Sequence, residues 1–578
     1  MASRKQRVHV VTTTRHYKGR VYHTHLLRHS YREGGRVKNE TVGNLSHLPE
    51  PVVELIRQAL KGESLAPVNS AFEILSSTSH GHVKAVLAAM HRLDFASLLA
   101  TRSSRERDLI VAMVAARVLE PYSKLATTRA WQSTTLPEDC GVGDATEDDL
   151  YAAMDWLLDR QGRIEKKLAA RHLDEQSLVL YDLTSSYFEG VSCPLAALGH
   201  NRDGKKGKLQ VNYGLLTDSR GCPVSVSVYP GNTSDTETLM AAVGKVRDEF
   251  GIRSLVMVGD RGMISQKQID QIRQLADIDW ITALKTGEIR KLFEKEAIQL
   301  GLFDERNVFE LTDAEFPGER LVVCRNPQMA KRRAHTRRSL IAATIREFDR
   351  VKGMVARGKL KSAAEIGVRV GQVTNKYNVA KHFELEIGEG NFTFHILSDK
   401  VAAEATLDGL YVIRTSLDPE RLDMAGTVRS YKLLSNVERA FRSLKTIDLK
   451  VRPIFHHLET RVRAHIFLCM LAYYVQWHMQ EAWRELLFSD EDQRAKLTRD
   501  PVAPAERSPE ALKKVRTKKL DDGTEAHSFR TLLRELSTIV RNVCRRKQAQ
   551  QDEPTFALVT TASAKQQRAL DLIEAMAV

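Results

Sequence analysis

The chain has 578 residues, 42% of them hydrophobic and 28% charged, the balance of an ordinary folded protein with a real core and several domains. Lys and Arg number 87 against 73 Asp and Glu, a net charge of +14 that points to a polyanion partner, nucleic acid above all. The six scattered cysteines form no C-x-x-C pair, so no disulfide framework or zinc site follows. The N-terminal M-A-S-R-K-Q-R lacks the apolar core of a signal peptide, and the longest apolar run, 466–475, is too short for a bilayer. These features lead us to expect a reducing, cytoplasmic setting and no membrane partner.

Residues 8–45 alternate and turn like a small antiparallel sheet. Lys18-Gly19 and Glu33-Gly34-Gly35 mark its turns, and Arg15, Lys18, Arg20, Arg28, Arg32, Arg36 and Lys38 give it a basic surface suited to phosphates. We take 1–50 as a small β module. Residues 51–175 read as a helical domain. Leu109, Met113, Ala116 and Leu119 share one face, as do Leu150, Met154, Leu157 and Leu158, and Thr146 with Asp149 resembles a capping box. DNA reading and plain packing are both open for this domain.

The stretch L-V-L-Y-D-L-T-S-S-Y-F, 178–188, reads as a strand with one carboxylate, Asp182, in its middle. A buried acid in a central strand is costly unless it is paired, protonated or bound to a cation. A loop with Arg202, Lys205, Lys206 and Lys208 follows. Strands at 211–217 and 223–230, a helix at 236–250, a strand ending at Asp260, a helix at 265–275 and a strand at 280–284 come next. The order β-β-β-α-β-α-β gives an antiparallel meander and then strands parallel to the first. It suits a ribonuclease-H-like mixed sheet over 176–285, with the Asp260 strand beside the Asp182 strand.

Residues 286–425 interrupt that core as an insertion domain with several strand-like runs. Between them runs a long basic helix containing Lys331, Arg332, Arg333, Arg337, Arg338, Arg346 and Arg350, which suits a DNA path. The core resumes over 426–490. A helix beginning near Thr427 has Leu433, Val437, Phe441 and Leu444 on its buried stripe. Tyr431, Glu438 and Lys445, spaced by seven, line an adjacent face with Arg442 one turn beyond Glu438. A second helix, 459–485, buttresses the sheet. Residues 491–578 form a polar linker and helical tail with an amphipathic helix over 528–545.

These stretches resemble the DDE transposases of bacterial insertion sequences, in the IS-four superfamily and nearest its IS-sixteen-thirty-four group. Y-D-L-T-S-S-Y-F-E-G (181–190), G-N-T-S-D (231–235), V-G-D-R-G-M (258–263) and V-E-R-A-F-R-S-L-K (437–445) carry the likeness, with R-P-I-F-H-H (452–457) and R-A-H-I-F-L-C-M-L-A (463–472) beside them. The resemblance implies that Asp182, Asp260 and Glu438 are a catalytic triad holding two Mg²⁺ ions, for which Mn²⁺ can substitute, and that the segment after Asp260 is the superfamily's large, mostly β insertion. It also implies Tyr, Arg, Glu and Lys on the last helix. Tyr431, Glu438 and Lys445 match by spacing, while Leu434 stands at the Arg position and Lys432 or Arg442 is left to supply that contact.

The activity so implied is Mg²⁺-dependent cleavage at the element's ends and transfer of the freed 3′-OH into target DNA. Two ions can stabilise the attacking and leaving oxygens of an in-line displacement. DNA contacts are expected from Tyr431, Lys445, Arg442, Lys205, Lys206 and Lys208. The partners are double-stranded DNA, as terminal inverted repeats and target, and a second copy of the chain in a synaptic complex associated with the bacterial nucleoid. The alternative is a DNA-binding protein with an inactive ribonuclease-H-like core. A haloacid-dehalogenase-type phosphatase is excluded because position 184, where that chemistry needs a second acid, is Thr.

Overall fold

The computed structural model describes residues 8–62, 72–190, 192–303, 307–492, 498–546 and 554–577; the first seven residues, read above as lacking a leader, lie outside these. The chain divides into two compact units, 1–77 with 541–560 and 78–540 with 561–578.

In the smaller unit β1 (Val8–Tyr17), β2 (Arg20–Glu33) and β3 (Arg36–Asn44) form the antiparallel meander expected from the turn signals. Both turns are two-residue hairpins in which every central residue has positive φ: 48° at Lys18, 74° at Gly19, 59° at Gly34 and 81° at Gly35. That conformation matches the twist of paired strands and explains the glycines. His25 is buried in the meander and its Nδ1 lies 2.9 Å from the Thr12 hydroxyl. The helix Glu50–Leu60, with Pro51 in its first turn, packs on β1. A second small sheet contains β4 (Phe72–Ser79) and two strands from far down the chain, in the order Phe556–Val559, Val540–Arg546, β4.

This sheet corrects the expected helix over 528–545. The helix stops at Leu536, and Val540–Arg546 is extended. Phe529, Leu532 and Leu536 do form a buried helical face. Ile539 and Val543 continue its spacing by coincidence, and their β-branched side chains favour the strand.

The larger unit is built on an eight-stranded mixed sheet. Its strands are β5 (Ser177–Tyr187), β6 (Gln210–Thr217), β7 (Pro223–Pro230), β8 (Leu255–Val258), β9 (Ile278–Ala283), β10 (Val308–Leu311) and β11 (Arg320–Arg325). A separate hairpin, β12 (Phe383–Gly388) and β13 (Asn391–Ile396), precedes the last sheet strand, β14 (Leu410–Thr415). The spatial order is β10-β11-β14-β9-β8-β5-β6-β7. β5, β6 and β7 are the antiparallel meander, and β8 and β9 join through helices and run parallel to β5. β5 lies mid-sheet and is buried along most of its length rather than alternating, as a strand covered on both faces must be.

The helix Glu459–Ala482 is buried from Val462 to Met479 but for Arg463, and packs against Arg105–Leu119, Glu147–Leu158 and β7. Its all-round apolar character is that of a core helix. No helix among the described residues is long and apolar enough to cross a membrane. The capping box read at Thr146 is present: its hydroxyl accepts from Asp149 N at 3.3 Å while the Asp149 carboxylate accepts from Thr146 N at 2.8 Å.

The stretch between β9 and the Glu438 helix differs from the expected mostly β insertion. β10, β11 and β14 extend the main sheet itself, with β14 antiparallel to β9 through Ile413 and Ala283. The rest is largely helical: Pro327–Ala356 alone spans 30 residues and packs with Ala363–Tyr377 and the β12–β13 hairpin around Phe348, Ile366, Val370 and Phe392. Strand-like periodicity was legible in each short run, whereas the length of the intervening helix outweighs them.

Candidate active site

β5 and β8 pair in parallel register, Leu180 opposite Val258. Asp182 lies two residues past the last paired residue of β5 and Asp260 two residues past the end of β8, so both acids stand at the same end of this strand pair. The sheet thus joins two acids that are far apart in sequence. The negative charge of Asp260 is among the influences acting on Asp182.

Asp182 stands on the face of β5 shared by Thr184, whose cross-strand neighbour is Tyr213. The Tyr213 ring packs edge-on against Phe441, with centroids 5.9 Å apart. Phe441 lies one turn beyond Glu438 on the helix Leu434–Arg442, which packs on β5. The helix bearing Glu438 therefore covers the face of the sheet from which Asp182 projects. Asn436 fastens it further, donating from Nδ2 to the Ser219 carbonyl at 3.1 Å.

The three acids differ in environment. Asp182 is half-buried and its Oδ1 accepts a hydrogen bond from Leu183 N at 2.8 Å. Burial, with Asp260 adding to it, pushes its carboxyl up to about 7, against the pull of the Leu183 amide and the Arg202 charge. Asp260 is exposed and its Oδ1 accepts from Gly262 N at 2.8 Å and Met263 N at 2.9 Å. A Cβ at Gly262 would stand 3.2 Å from that oxygen, a tight contact that a larger residue would have to relieve by shifting the Asp260 carboxylate. Glu438 is exposed on its helix.

Tyr431 sits between them electrically. Burial is the main cause that drives its hydroxyl up to about 12, and the charges of Asp260 and Glu438 both add to the rise while Arg261 opposes it. The donor set is that of a hard-cation site: three carboxylates, one of them, Asp182, desolvated and in no ion pair among the described residues. The oxygens of the three do not all lie within 4.8 Å of one another, unlike two other clusters among the described residues.

The helix expected to run on from Thr427 is broken. Met424–Lys432 ends at Leu433, Leu434–Arg442 follows, and Ser443–Ile447 widens into a π turn. The seven-residue spacing of Tyr431, Glu438 and Lys445 therefore does not place them along one straight helix face. Leu434, at the position where the family resemblance calls for Arg, is partly buried and packed on the core.

The predicted DNA contacts fall into two classes. Lys205, Lys206, Lys208 and Arg442 are exposed. Lys208 pairs with Glu189 at 3.0 Å and the Lys205 ammonium lies 5.9 Å from the Tyr187 ring centroid, while Lys206 and Arg442 make no ion pair among the described residues. Lys445 is different: it is buried, and its Nζ donates to Asp203 Oδ1 at 2.9 Å. Arg452 contacts the same oxygen, and Tyr187 N donates to Asp203 Oδ2 at 3.1 Å. Burial lowers the Lys445 ammonium against the pull of Asp203.

Asp203, Arg452 and Arg261 were missed in the sequence, as was the pairing of Arg202 with Asp235. Nothing local distinguishes Asp203 from other loop acids, although the two motifs that carry Arg202 and Asp235 were both singled out. Gly231, in the second of them, is required by packing, since a Cβ there would meet the Gln210 carbonyl at 2.0 Å.

The family described as "Transposase DDE domain" matches residues 175–475, and that described as "IS1634 family transposase, N-terminal domain" matches residues 10–67. No curated protein matches the chain. Among solved structures, a piggyBac transposase in a synaptic complex with hairpin DNA aligns over 78% of this chain and 79% of its own, at 9% identity and a TM-score of 0.34. The match over 175–475 takes in β5, β8 and the Glu438 helix together, and with the N-terminal match it shows that the chain is a DDE-type transposase resembling the IS1634 group.

Proposed function

We propose that this transposase cuts DNA at the ends of an insertion sequence and joins the freed 3′-OH to target DNA, with Asp182, Asp260 and Glu438 as its catalytic carboxylates. The observation that supports this reading is the parallel pairing of β5 and β8, which carries Asp182 and Asp260 to one end of the strand pair, with the helix of Glu438 packed on β5. The order β7-β6-β5-β8-β9 supports a ribonuclease-H-like core.

As oxygen donors the three carboxylates are of the type that suits Mg²⁺, with Mn²⁺ as a substitute, and they must draw closer together than they stand to share ions. Asp182, Asp260 and Glu438 are the residues that would hold the ions, Asp260 through the oxygen its turn leaves free. When bound, such a pair supplies positive charge to the attacking and leaving oxygens of phosphoryl transfer. The chain's own residues do the positioning. The Asp260 turn holds one carboxylate with two backbone amides, and the core-packed Glu438 helix presents another. Tyr431, kept protonated by burial and by the acids around it, is a hydrogen-bond donor to a phosphate oxygen. Lys205, Lys206, Lys208 and Arg442 offer phosphate contacts from the surface, whereas Lys445 acts through Asp203 to hold the loop that bears the three lysines. Water attacks first and releases the 3′-OH, which then attacks the target strand. The protein acts as a dimer on paired ends, at the nucleoid.

Cleavage of DNA carrying the element's terminal repeats, measured with and without Mg²⁺, tests the reading. Asp182→Asn is expected to lose end cleavage by ~10²-fold or more while binding the ends as the parent does. Full cleavage by this variant rejects the assignment, and a parent chain that binds ends but never cuts them marks an inactive core.

A further inference from the structure

A second group of ligand-type side chains lies away from the three acids. His172, the last residue of the helix Gln161–His172, Cys222, just ahead of β7, and His478, on the helix Glu459–Ala482, converge although they are far apart in sequence. Cys222 Sγ is 3.9 Å from His172 Nε2 and 3.8 Å from His478 Nε2. The imidazole centroids are 5.6 Å apart. Cys222 and His478 are buried and His172 is partly exposed, so the cluster reaches solvent on one side.

A tetrahedral zinc ion with bonds of ~2.3 Å to sulfur and ~2.0 Å to nitrogen separates those two atoms by ~3.5 Å. The observed separations need to close by only a few tenths of an ångström. A thiol and two imidazoles are also the wrong set for Mg²⁺, which takes oxygens, and the right set for a softer cation. We propose that His172, Cys222 and His478 bind a zinc ion that ties the helical layer to the β7 edge of the catalytic sheet.

The neighbours are compatible with this site. Burial holds both imidazoles neutral, His172 at about 4 and His478 at about 3, so each has a lone pair to give. Burial also raises the Cys222 thiol. Zinc replaces the thiol proton, which leaves to solvent, and one Zn–S and two Zn–N bonds form without any change of oxidation state. Water from the exposed side of His172 completes the fourth position.

Arg220 stands nearest as a cation, its guanidinium 3.4 Å from His172 Nδ1. Its Nε already donates to Asp218 at 2.9 Å, and its head also lies over the Trp477 ring. The long contact to His172 can therefore be given up without stranding the charge. The Tyr474 hydroxyl, 3.1 Å from His172 Nε2, must likewise turn away from that nitrogen. The site leaves no mark on the sequence, because no two of its ligands are within reach of a zinc-binding spacing.

The test uses the full chain with any affinity tag removed, stripped with a chelator and then given zinc or cobalt alone. About one zinc per chain is expected by elemental analysis after dialysis, together with a rise in melting temperature. Cobalt is expected to give thiolate-to-metal charge-transfer and tetrahedral d–d bands in the parent chain, a readout that needs no variant. Cys222→Ser and His478→Gln are each expected to weaken zinc binding by ~10-fold or more, and Asp182→Asn to leave it unchanged, which separates this site from the three acids. Less than about a tenth of an equivalent of zinc in the parent, cobalt spectra without the charge-transfer band, or undiminished binding in Cys222→Ser overturns the proposal.

Discussion

Lys445 and Asp203 form a buried ion pair, Nζ to Oδ1 at 2.9 Å, that links the turn after the Glu438 helix to the loop after β5. Arg452 shares the same carboxylate, and the other oxygen takes the Tyr187 amide. The end of the strand bearing Asp182 and the end of the helix bearing Glu438 are thereby fastened to one side chain.

Lys445→Ala leaves Asp203 one cation short in a desolvated site. Breaking a buried pair costs ~3–5 kcal/mol when the remaining charge has no other partner; with Arg452 still in place we expect about 2 kcal/mol. Denaturant unfolding measures it. Asp203→Asn, which strands both cations, should cost more than Lys445→Ala, and the reverse ranking would count against this arrangement.

Lys206 and Arg442 are exposed and free of ion pairs among the described residues, so their charges are available to a phosphate chain. Lys206→Gln and Arg442→Gln are each expected to weaken end binding uniformly across sequences and to reduce the slope of log K against log salt by ~1. Lys208→Gln should have a smaller effect because Glu189 already engages that ammonium. Binding titrations at several salt concentrations check all three, with folding stability expected to change little.

Lys124 is buried, with Arg117 nearby, and burial followed by that like charge lowers its ammonium to about 7. Between pH 7 and the ordinary lysine value near ~10.4, the unfolded chain holds a proton that the folded chain has released. Stability from this group therefore rises with pH across that window and is at its lowest below pH 7. Lys124→Met removes the desolvated charge. It should be more stable than the parent at pH 6 by a few kcal/mol, since each tenfold loss of proton affinity on folding costs ~1.4 kcal/mol. The advantage should shrink towards pH 10. A pH-independent difference in paired unfolding curves would rule this out.

What was legible followed from local pattern and connection rules. The meander of β5, β6 and β7, followed by two helix-linked strands, leaves little freedom in where β8 can pair, so the neighbourhood of Asp182 and Asp260 could be read before any coordinates. The two hairpin turns and the Thr146 capping box were equally readable, since each is decided by a few adjacent residues. Burial of Lys445 was not: a lysine spaced seven from a candidate catalytic acid looks the same whether it meets solvent or an aspartate from a distant loop. The break at Leu433 escaped because the apolar stripe continues across it. The union of β10, β11 and β14 with the main sheet escaped because antiparallel pairing across long separations leaves no mark on periodicity.

The excursion between β11 and β14 leaves from Arg325 and returns at Leu410, residues that face each other in adjacent strands. Asn326 N donates to the Gly409 carbonyl at 2.9 Å, Gly409 has φ of 80°, and Arg337 pairs with Asp408 just beyond. Whatever hangs from this neck, its two ends already meet. The appended helices and hairpin can therefore be lengthened, trimmed or exchanged in descent at little more than the entropy of closing a loop. Selection can then reshape that lobe for a new partner while the pairing of β5 with β8 passes on untouched.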